Sequence, residues 1–487
     1  MNINLSTGNR TERSIHIAGI IVLLLSIVAG TYFSFYWLFL LPAVAICVFW
    51  AIVDSRRFYW FFLFSIPFSI QIYLPGGLST TLPDEPLMWF FLFASMLSLA
   101  AYGYRFIPRW FLQNPITIII FVHYLWLFLA VVFSEIFLPS LKFFVAKTWF
   151  LNAFFLLPVF FFKEKKDFIR AFRLMFIPFV FIFIFIFIRH AFLDFGFRES
   201  NMAAQPLFYN HVDHSTVLSM CLPVFIIAYQ LSKGNKQNRI LLLLVILFLV
   251  PAIMVAQARA AMLAVFFSLA LWYAFNKKIG HWVVPAFYAL IITITTIVVS
   301  NENYVGLRPD FKHTYTQPNF EHLMKATVAG KDMSSMERLY RWVASARMSQ
   351  ERPLLGVGPN NWYEFYKGHA LSEFKTYVSR NPERSTTHNY FIFMLTEQGW
   401  PALIIYAVMI WVFLAYAQRV YWRIKDDFYR KVVLGLAMSF GAGFVNNFFS
   451  ELLETHKIGA LFFMSMSLVM IIDHINKQPA AKAIEEQ

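Results

Sequence analysis

Cysteine and charge are scarce in this 487-residue chain. Cys47 and Cys221 are the only two cysteines, each inside an apolar run. They exclude a disulfide framework and a thiolate metal site, and read as small buried hydrophobes. Charged residues make up only 14% of the chain against 59% hydrophobic, with 58 phenylalanines. That balance excludes an ordinary soluble globule. Acids are outnumbered, 27 to 41, for a formal charge of +14. Nucleic acid is one partner such a charge suits. In a chain with repeated apolar runs long enough to cross a bilayer, however, basic residues first report topology and attraction to anionic headgroups or diphosphates. Such crossings must be helical, because lipid offers no partner to open backbone N–H and C=O groups. The inverted internal repeat common in secondary transporters is not visible.

The apolar runs predict an all-α polytopic integral membrane protein with about fourteen spans. They fall near residues 15–31, 34–53, 58–74, 86–103, 115–133, 142–162, 170–190, 215–231, 239–256, 259–276, 281–300, 388–416, 430–449 and 457–474. The first run has the basic flank of a signal peptide but no small-residue cleavage site, and reads as an uncleaved helix. The Phe/Ile alternation at 176–189 resembles a strand, yet its length within an apolar run makes it a lipid-facing helix. Alternate connections carry the cations: 55–57, 104–109, 163–170, 233–239, 276–278 and 419–431. The connections between them, such as 73–85, are poor in Lys and Arg. The positive-inside rule then puts both termini in the cytoplasm.

Residues 301–387 form a long, partly helical hydrophilic insertion on the outer side, dividing the chain into 1–300, 301–387 and 388–487, the last ending in a cytoplasmic tail. Loops this long are uncommon and usually functional. Within it, Ser334 and Glu337 have capping-box spacing and open a predicted helix. Arg338, Arg341 or Trp342, and Ser345 share one face of that helix; Leu339, Val343 and Ala346 form another. The stretch RPLLGVGPNNW then ends it.

The polar residues that meet apolar runs on this outer side are the candidates for chemistry. His388 is either a solvated residue at a helix start or a general base, since imidazole titrates near neutrality. Arg259 stands nearly alone among cations at the short outer connections. It is either an interfacial snorkel or a functional charge. Arg338 is either a phosphate contact or a partner of Glu337 or Asp332, and Arg341 can take its place. Arg198, in the outer loop 189–215, is a further phosphate contact in this reading. Lys147, inside a span, either reaches the same ligand or pairs with Glu135. The stretch His211-Val212-Asp213-His214 invites a metal, but no further ligand has readable spacing, and Asp213 serves equally as a helix cap. Asp84 and Glu85 read as a helix-start cap. His123, Lys147 and Glu454, in or near spans, would suit a transporter or flippase. Against that reading, polar residues gather on one face rather than at the midplane.

One stretch carries a resemblance. RNPERSTTHNYFIFMLTEQGWPAL, from Arg380, is similar to the signature of the bacterial O-antigen ligase and polymerase superfamily: a His followed by Asn, Ser or Gln, nine residues, then Gly-x-x-Gly. Here His388-Asn389 and Gly399 match, and Ala402 replaces the last glycine. Upstream, ERLYRWVASARMSQERPLLGVGPNNW resembles the same superfamily's Arg-Leu-x-x-Trp helix and the turn after it, and Arg259 with Leu263 its Arg-x-x-x-Leu position. The resemblance implies a metal-independent, cofactor-free glycan transferase of the inner membrane with a periplasmic active site. It would take a glycan from a polyprenyl diphosphate donor to a hydroxyl on a lipid or glycan acceptor. By the same resemblance His388 is the base, Arg259 and Arg338 hold the diphosphate, and Arg198, Arg341, Asn389 and Lys147 contact substrate. A polysaccharide polymerase and a protein O-oligosaccharyltransferase of the same superfamily remain alternatives.

Overall fold

The computed structural model describes residues 10–32, 53–74, 78–300, 306–309, 332–382 and 384–485, with isolated positions between 42 and 51. The expected span at 34–53, much of the 301–387 insertion and both chain ends lie outside the described residues. The chain separates into units 1–64 and 65–487. In the first, the helix Arg10–Tyr32 is described, and Trp50 packs against Phe61 at 5.4 Å between ring centroids.

Among the described residues, eleven helices are long and apolar enough to cross a membrane, from Asp84–Arg105 to His456–Lys477. Each coincides with an expected span. The run at 58–74 does not. Its helix stops at Ser65, Pro67 sits in a 3-10 turn, and β1 (Ile70–Leu74) pairs antiparallel with β2 (Leu78–Leu82). Proline offers no N–H to continue a helix, and the alternation in SIQIYL suits a strand. The expected loop at 73–85 therefore contains the end of β1, the second arm of the hairpin and the start of the next helix.

Taken as successive crossings, these helices put β1–β2, the connections 133–136, 192–210, 256–258 and 449–455, and the described residues of 300–389 on one face. The cation-rich connections lie on the other. The centre is built by small residues. A Cβ on Gly441 would sit 2.3 Å from Leu271, and one on Gly443 3.0 Å from Met220. Asp427–Phe448 thus packs closely on Arg259–Asn276 and His211–Leu231, as glycines permit in lipid, where van der Waals contact drives association. Asn446 adds a hydrogen bond to Ser219 Oγ at 3.0 Å. His456–Lys477 is almost wholly enclosed, whereas Gly280–Val299 shows most of its surface outward.

The insertion carries its own core. Met333–Glu351 is helical, as expected, but its cap is Asp332, not Ser334. The Asp332 carboxylate accepts from Ser335 N at 3.1 Å and Ser335 Oγ at 2.7 Å. Glu337 is not free to complete a capping box, because it points inward and accepts from Thr376 and Ser379. The buried apolar face is Tyr340, Ala344 and Met348, spaced four apart, with Leu339 only packed against it. Trp362 stacks on Tyr366 at 4.1 Å and donates to Ser345 Oγ at 2.8 Å, closing this core. The helix ends ahead of Pro353, whose ring disfavours helical backbone in the residue before it.

Candidate active site

Arg259 is the first helical residue of Arg259–Asn276. A cation there opposes the helix dipole, so its position needs an anion. Asp332 supplies one: Arg259 Nη2 lies 3.0 Å from Asp332 Oδ2. The carboxylate that caps Met333–Glu351 thereby ties the insertion to the start of a membrane span.

Arg338 lies further along the same helix. Its guanidinium is flanked by the positive charges of Arg259 and Arg341 and the negative charges of Asp332 and Glu451. Burial, with Arg259 next, pushes its pKa down to about 10. Its Nε is buried without a hydrogen-bond partner. A guanidinium kept among other cations with a donor unused is poised for an anionic ligand.

Arg341 is differently employed. Its Nη1 donates to Ser385 Oγ and to the Thr386 carbonyl, both at 2.9 Å, and its Nη2 is 3.5 Å from Glu337. Trp342 Nε1 donates to the Thr387 carbonyl at 2.8 Å. Together they hold the three residues ahead of His388 against the helix. Beyond His388, Asn389 is buried, and its side-chain oxygen caps Tyr390–Arg423 by accepting from Phe391 N at 2.9 Å and Ile392 N at 3.2 Å. Thr387 also donates to Glu451, in the connection 449–455.

Fixed on both sides, His388 takes a left-handed backbone, φ +52°, a conformation that costs a non-glycine residue energy and collects at functional sites. Burial, then the charges of Arg338 and Arg341, push its pKa down to about 3. The ring is therefore neutral at pH 7 and able to accept a proton. Burial likewise raises the pKa of Glu451.

The turn at 353–358 is seated on a break in the next helix. Gly399 has φ +82° and ψ 178° inside Tyr390–Arg423, and a Cβ there would meet the Leu354 carbonyl at 1.9 Å. Val357 N donates to Thr396 O and Gly358 N to Glu397 O, both at 3.0 Å. The Glu397 carboxylate accepts from Asn360 N at 2.6 Å and Trp362 N at 3.0 Å. Ala402 is fully buried within helix, so only the first position of Gly-x-x-Gly needs glycine here.

His388, Arg259, Arg338 and Arg341 thus converge. The other expected residues do not all join them. Arg198 is exposed ahead of the short helix Glu199–Ala204, and it is not among the charges that act on Arg338 or His388. Lys147 pairs with Glu454 at 2.6 Å, not with Glu135, which pairs with Arg352. The reason is distance: Lys147 lies almost three turns into Phe137–Leu151, about 15 Å along the axis from its start. Asn210, not Asp213, caps His211–Leu231, and His211 Nδ1 contacts Asn201 at 2.8 Å. Asp84 meets His456 Nδ1 at 2.9 Å rather than serving as the helix cap. Asp332 and Glu451 are the acidic members of the cluster that motif reading misses. A lone Asp ahead of a capped helix was the available signal for the first.

Residues 242–407 match the family model described as O-antigen ligase. No curated protein matches the chain.

Proposed function

We propose that this membrane protein, whose residues 242–407 match the O-antigen ligase family model, transfers a glycan from a polyprenyl diphosphate donor to an acceptor hydroxyl. The convergence of Arg259, Arg338 and His388 from three separate segments on one membrane face carries the reading. Cation-rich connections occupy the opposite face, which the positive-inside rule makes cytoplasmic, so the reaction takes place on the periplasmic side of the inner membrane.

The acceptor oxygen attacks the anomeric carbon and gives its proton to His388. The bond from that carbon to the diphosphate oxygen breaks, and the diphosphate leaves with the electron pair. Attack opposite the leaving group inverts the anomeric configuration. Arg259 and Arg338 meet the charge that develops on the diphosphate, and stabilising developing charge usually lowers such a barrier more than any other effect. Guanidinium forks suit phosphate oxygens. In this reading Arg341 acts through the segment 385–387 that it holds, and Asn389 through the helix it caps. Diphosphate binding also offsets the cationic field that depresses His388, so the base strengthens when the donor is seated.

The test is transfer by purified protein supplied with a lipid-diphosphate glycan and an acceptor glycolipid. His388→Ala is expected to lower kcat by about 10²–10⁴-fold, the usual worth of a general base. Transfer at the wild-type rate removes His388 from the mechanism.

A further inference from the structure

A second cavity, of about 470 Å³, opens on the same membrane face and contains none of the residues assigned above to transfer. The hairpin β1–β2, the connection ahead of His211 and the segment 454–458 enclose it. The hairpin is pinned in place: Thr81 Oγ1 lies 2.5 Å and Asp84 Oδ2 2.9 Å from His456 Nδ1. Both partners meet one ring nitrogen, so this imidazole clamps the hairpin rather than relaying a proton.

The lining is that of a polyol site. Gln71, Ser79, Thr80 and Gln205 offer amide and hydroxyl groups, and Tyr209 adds an exposed ring for the apolar face of a sugar. Two of the three carboxylates are occupied. Glu85 accepts from Thr80 Oγ1 at 2.7 Å and Thr81 N at 3.0 Å. Glu454 takes Lys147 at 2.6 Å and Tyr390 Oη at 2.5 Å. Asp213 is different. It is only 5% exposed, and its Oδ1 has no hydrogen-bond partner. A buried carboxylate oxygen left unpaired is costly, and a ligand hydroxyl or amine in this cavity would satisfy it.

Charge separates the ligand classes. Glu85, Asp213 and Glu454 face two lysines, Lys142 and Lys457. Lys457 already donates to the Leu207 carbonyl and lies 4.3 Å from the Phe208 ring centroid. A phosphate would meet more carboxylates than free ammonium groups; a neutral or amine-bearing sugar would not suffer that repulsion. One connection serves both the cavity wall and the segment that carries the proposed base. Glu451, which holds Thr387, and Glu454, in the cavity wall, share one connection, and three residues span at most about 11 Å.

Resting on the transfer reading above, we propose that this cavity is the subsite for the terminal sugar of the acceptor glycan, and that Asp213 and the β1–β2 hairpin present its hydroxyl toward His388. Saturation-transfer NMR on the detergent-solubilised full chain tests it, with glucose, galactose, glucosamine and N-acetylglucosamine as probes and inorganic phosphate as competitor. At least one sugar should take up saturation. Its signal should fall about tenfold in Asp213→Asn, which removes a charged hydrogen-bond acceptor, and also in Ser79→Trp, which fills the cavity from the hairpin. The signal should persist in His388→Ala and withstand phosphate. No sugar signal, a signal surviving both cavity variants, or displacement by phosphate each overturns the proposal. Because Ser79→Trp alters an accessible hairpin position and Asp213→Asn is isosteric, matching wild-type melting curves would separate ligand loss from misfolding. In transfer kinetics the same variants should raise KM for acceptor about tenfold while leaving KM for donor unchanged. A wild-type protein that binds sugar yet transfers nothing would refute the transfer reading and leave the sugar site standing.

Discussion

His388 is held in a left-handed backbone between the segment 385–387, clamped by Arg341 and Trp342, and a helix capped by Asn389. Burial, and after it the charges of Arg338 and Arg341, depress its pKa to about 3. The sign of the consequence follows from linkage. The unfolded state, with histidine near its ordinary pKa of about 6.5, binds a proton that the folded state refuses. Stability contributed by this group is therefore present above about pH 6.5 and lost progressively as pH falls toward 3. Melting curves in detergent should show His388→Gln losing less stability than wild type between neutral pH and pH 4. The same electrostatics makes a kinetic prediction. The acidic limb of kcat/KM reports the free enzyme and that of kcat the donor complex. Saturating donor should move the limb upward by about one unit or more, as diphosphate offsets Arg338 and Arg341. Asp332 performs two jobs that substitution can separate. Asparagine keeps the cap and loses the ion pair with Arg259; alanine loses both. Asp332→Asn should cost about 1.5–3 kcal/mol for the charged hydrogen bond, and Asp332→Ala about 1 kcal/mol more for the cap, read as thermal or denaturant unfolding in detergent.

At the level of elements, the membrane helices were legible because a run of spanning length has one stable solution in lipid. The stretch 58–74 misled for the same reason: hydropathy alone does not register Pro67 or the two-residue alternation that makes β1. The helix Met333–Glu351 was readable from its spacing, its cap was not, since Ser334 and Glu337 fit the pattern while Asp332 had the better geometry. The arginines and histidine could be picked out one by one. Asp332 and Glu337 could be named as anions beside them, but the pairing of Arg259 with Asp332, 73 residues away, and of Thr387 with Glu451, 64 away, comes only from packing. Gly399 shows what a motif glycine does. With φ +82° and a carbonyl 1.9 Å from any added Cβ, it lets the 353–358 turn lie on the broken helix. Gly399→Ala should destabilise by roughly 1–3 kcal/mol from backbone conformation alone, and should expose the 353–358 turn to limited proteolysis while far-UV dichroism holds. Ala402→Gly, at a buried helical position, should cost only about 1 kcal/mol and leave the turn protected.

For the molecule as a whole, the sorting of basic residues among its short connections matters most; the long insertion, itself rich in lysine and arginine, is exempt because long loops cross regardless of charge. Connections on one face carry the lysines and arginines that read as cytoplasmic anchors; connections on the other carry the hairpin, the arginine cluster, the polar cavity and the Glu451–Glu454 segment. A transporter would place its polar groups near mid-membrane, whereas here a lipid-anchored donor and a water-borne acceptor would meet at the same surface. That arrangement depends on an odd number of crossings between the basic connection at 232–235 and the insertion. Three candidate spans lie between them, Lys236–Val255, Arg259–Asn276 and Gly280–Val299. In a background with Cys47 and Cys221 replaced by serine and alanine, Lys233→Cys and Ser372→Cys each place one thiol at an exposed position. A membrane-impermeant maleimide should label position 372 in intact spheroplasts and position 233 only after the membrane is opened. Labelling of both from the same side would require an even number of crossings, and labelling of position 372 only after the membrane is opened would move the arginine cluster away from the periplasm, leaving His388 on the wrong side for a periplasmic acceptor.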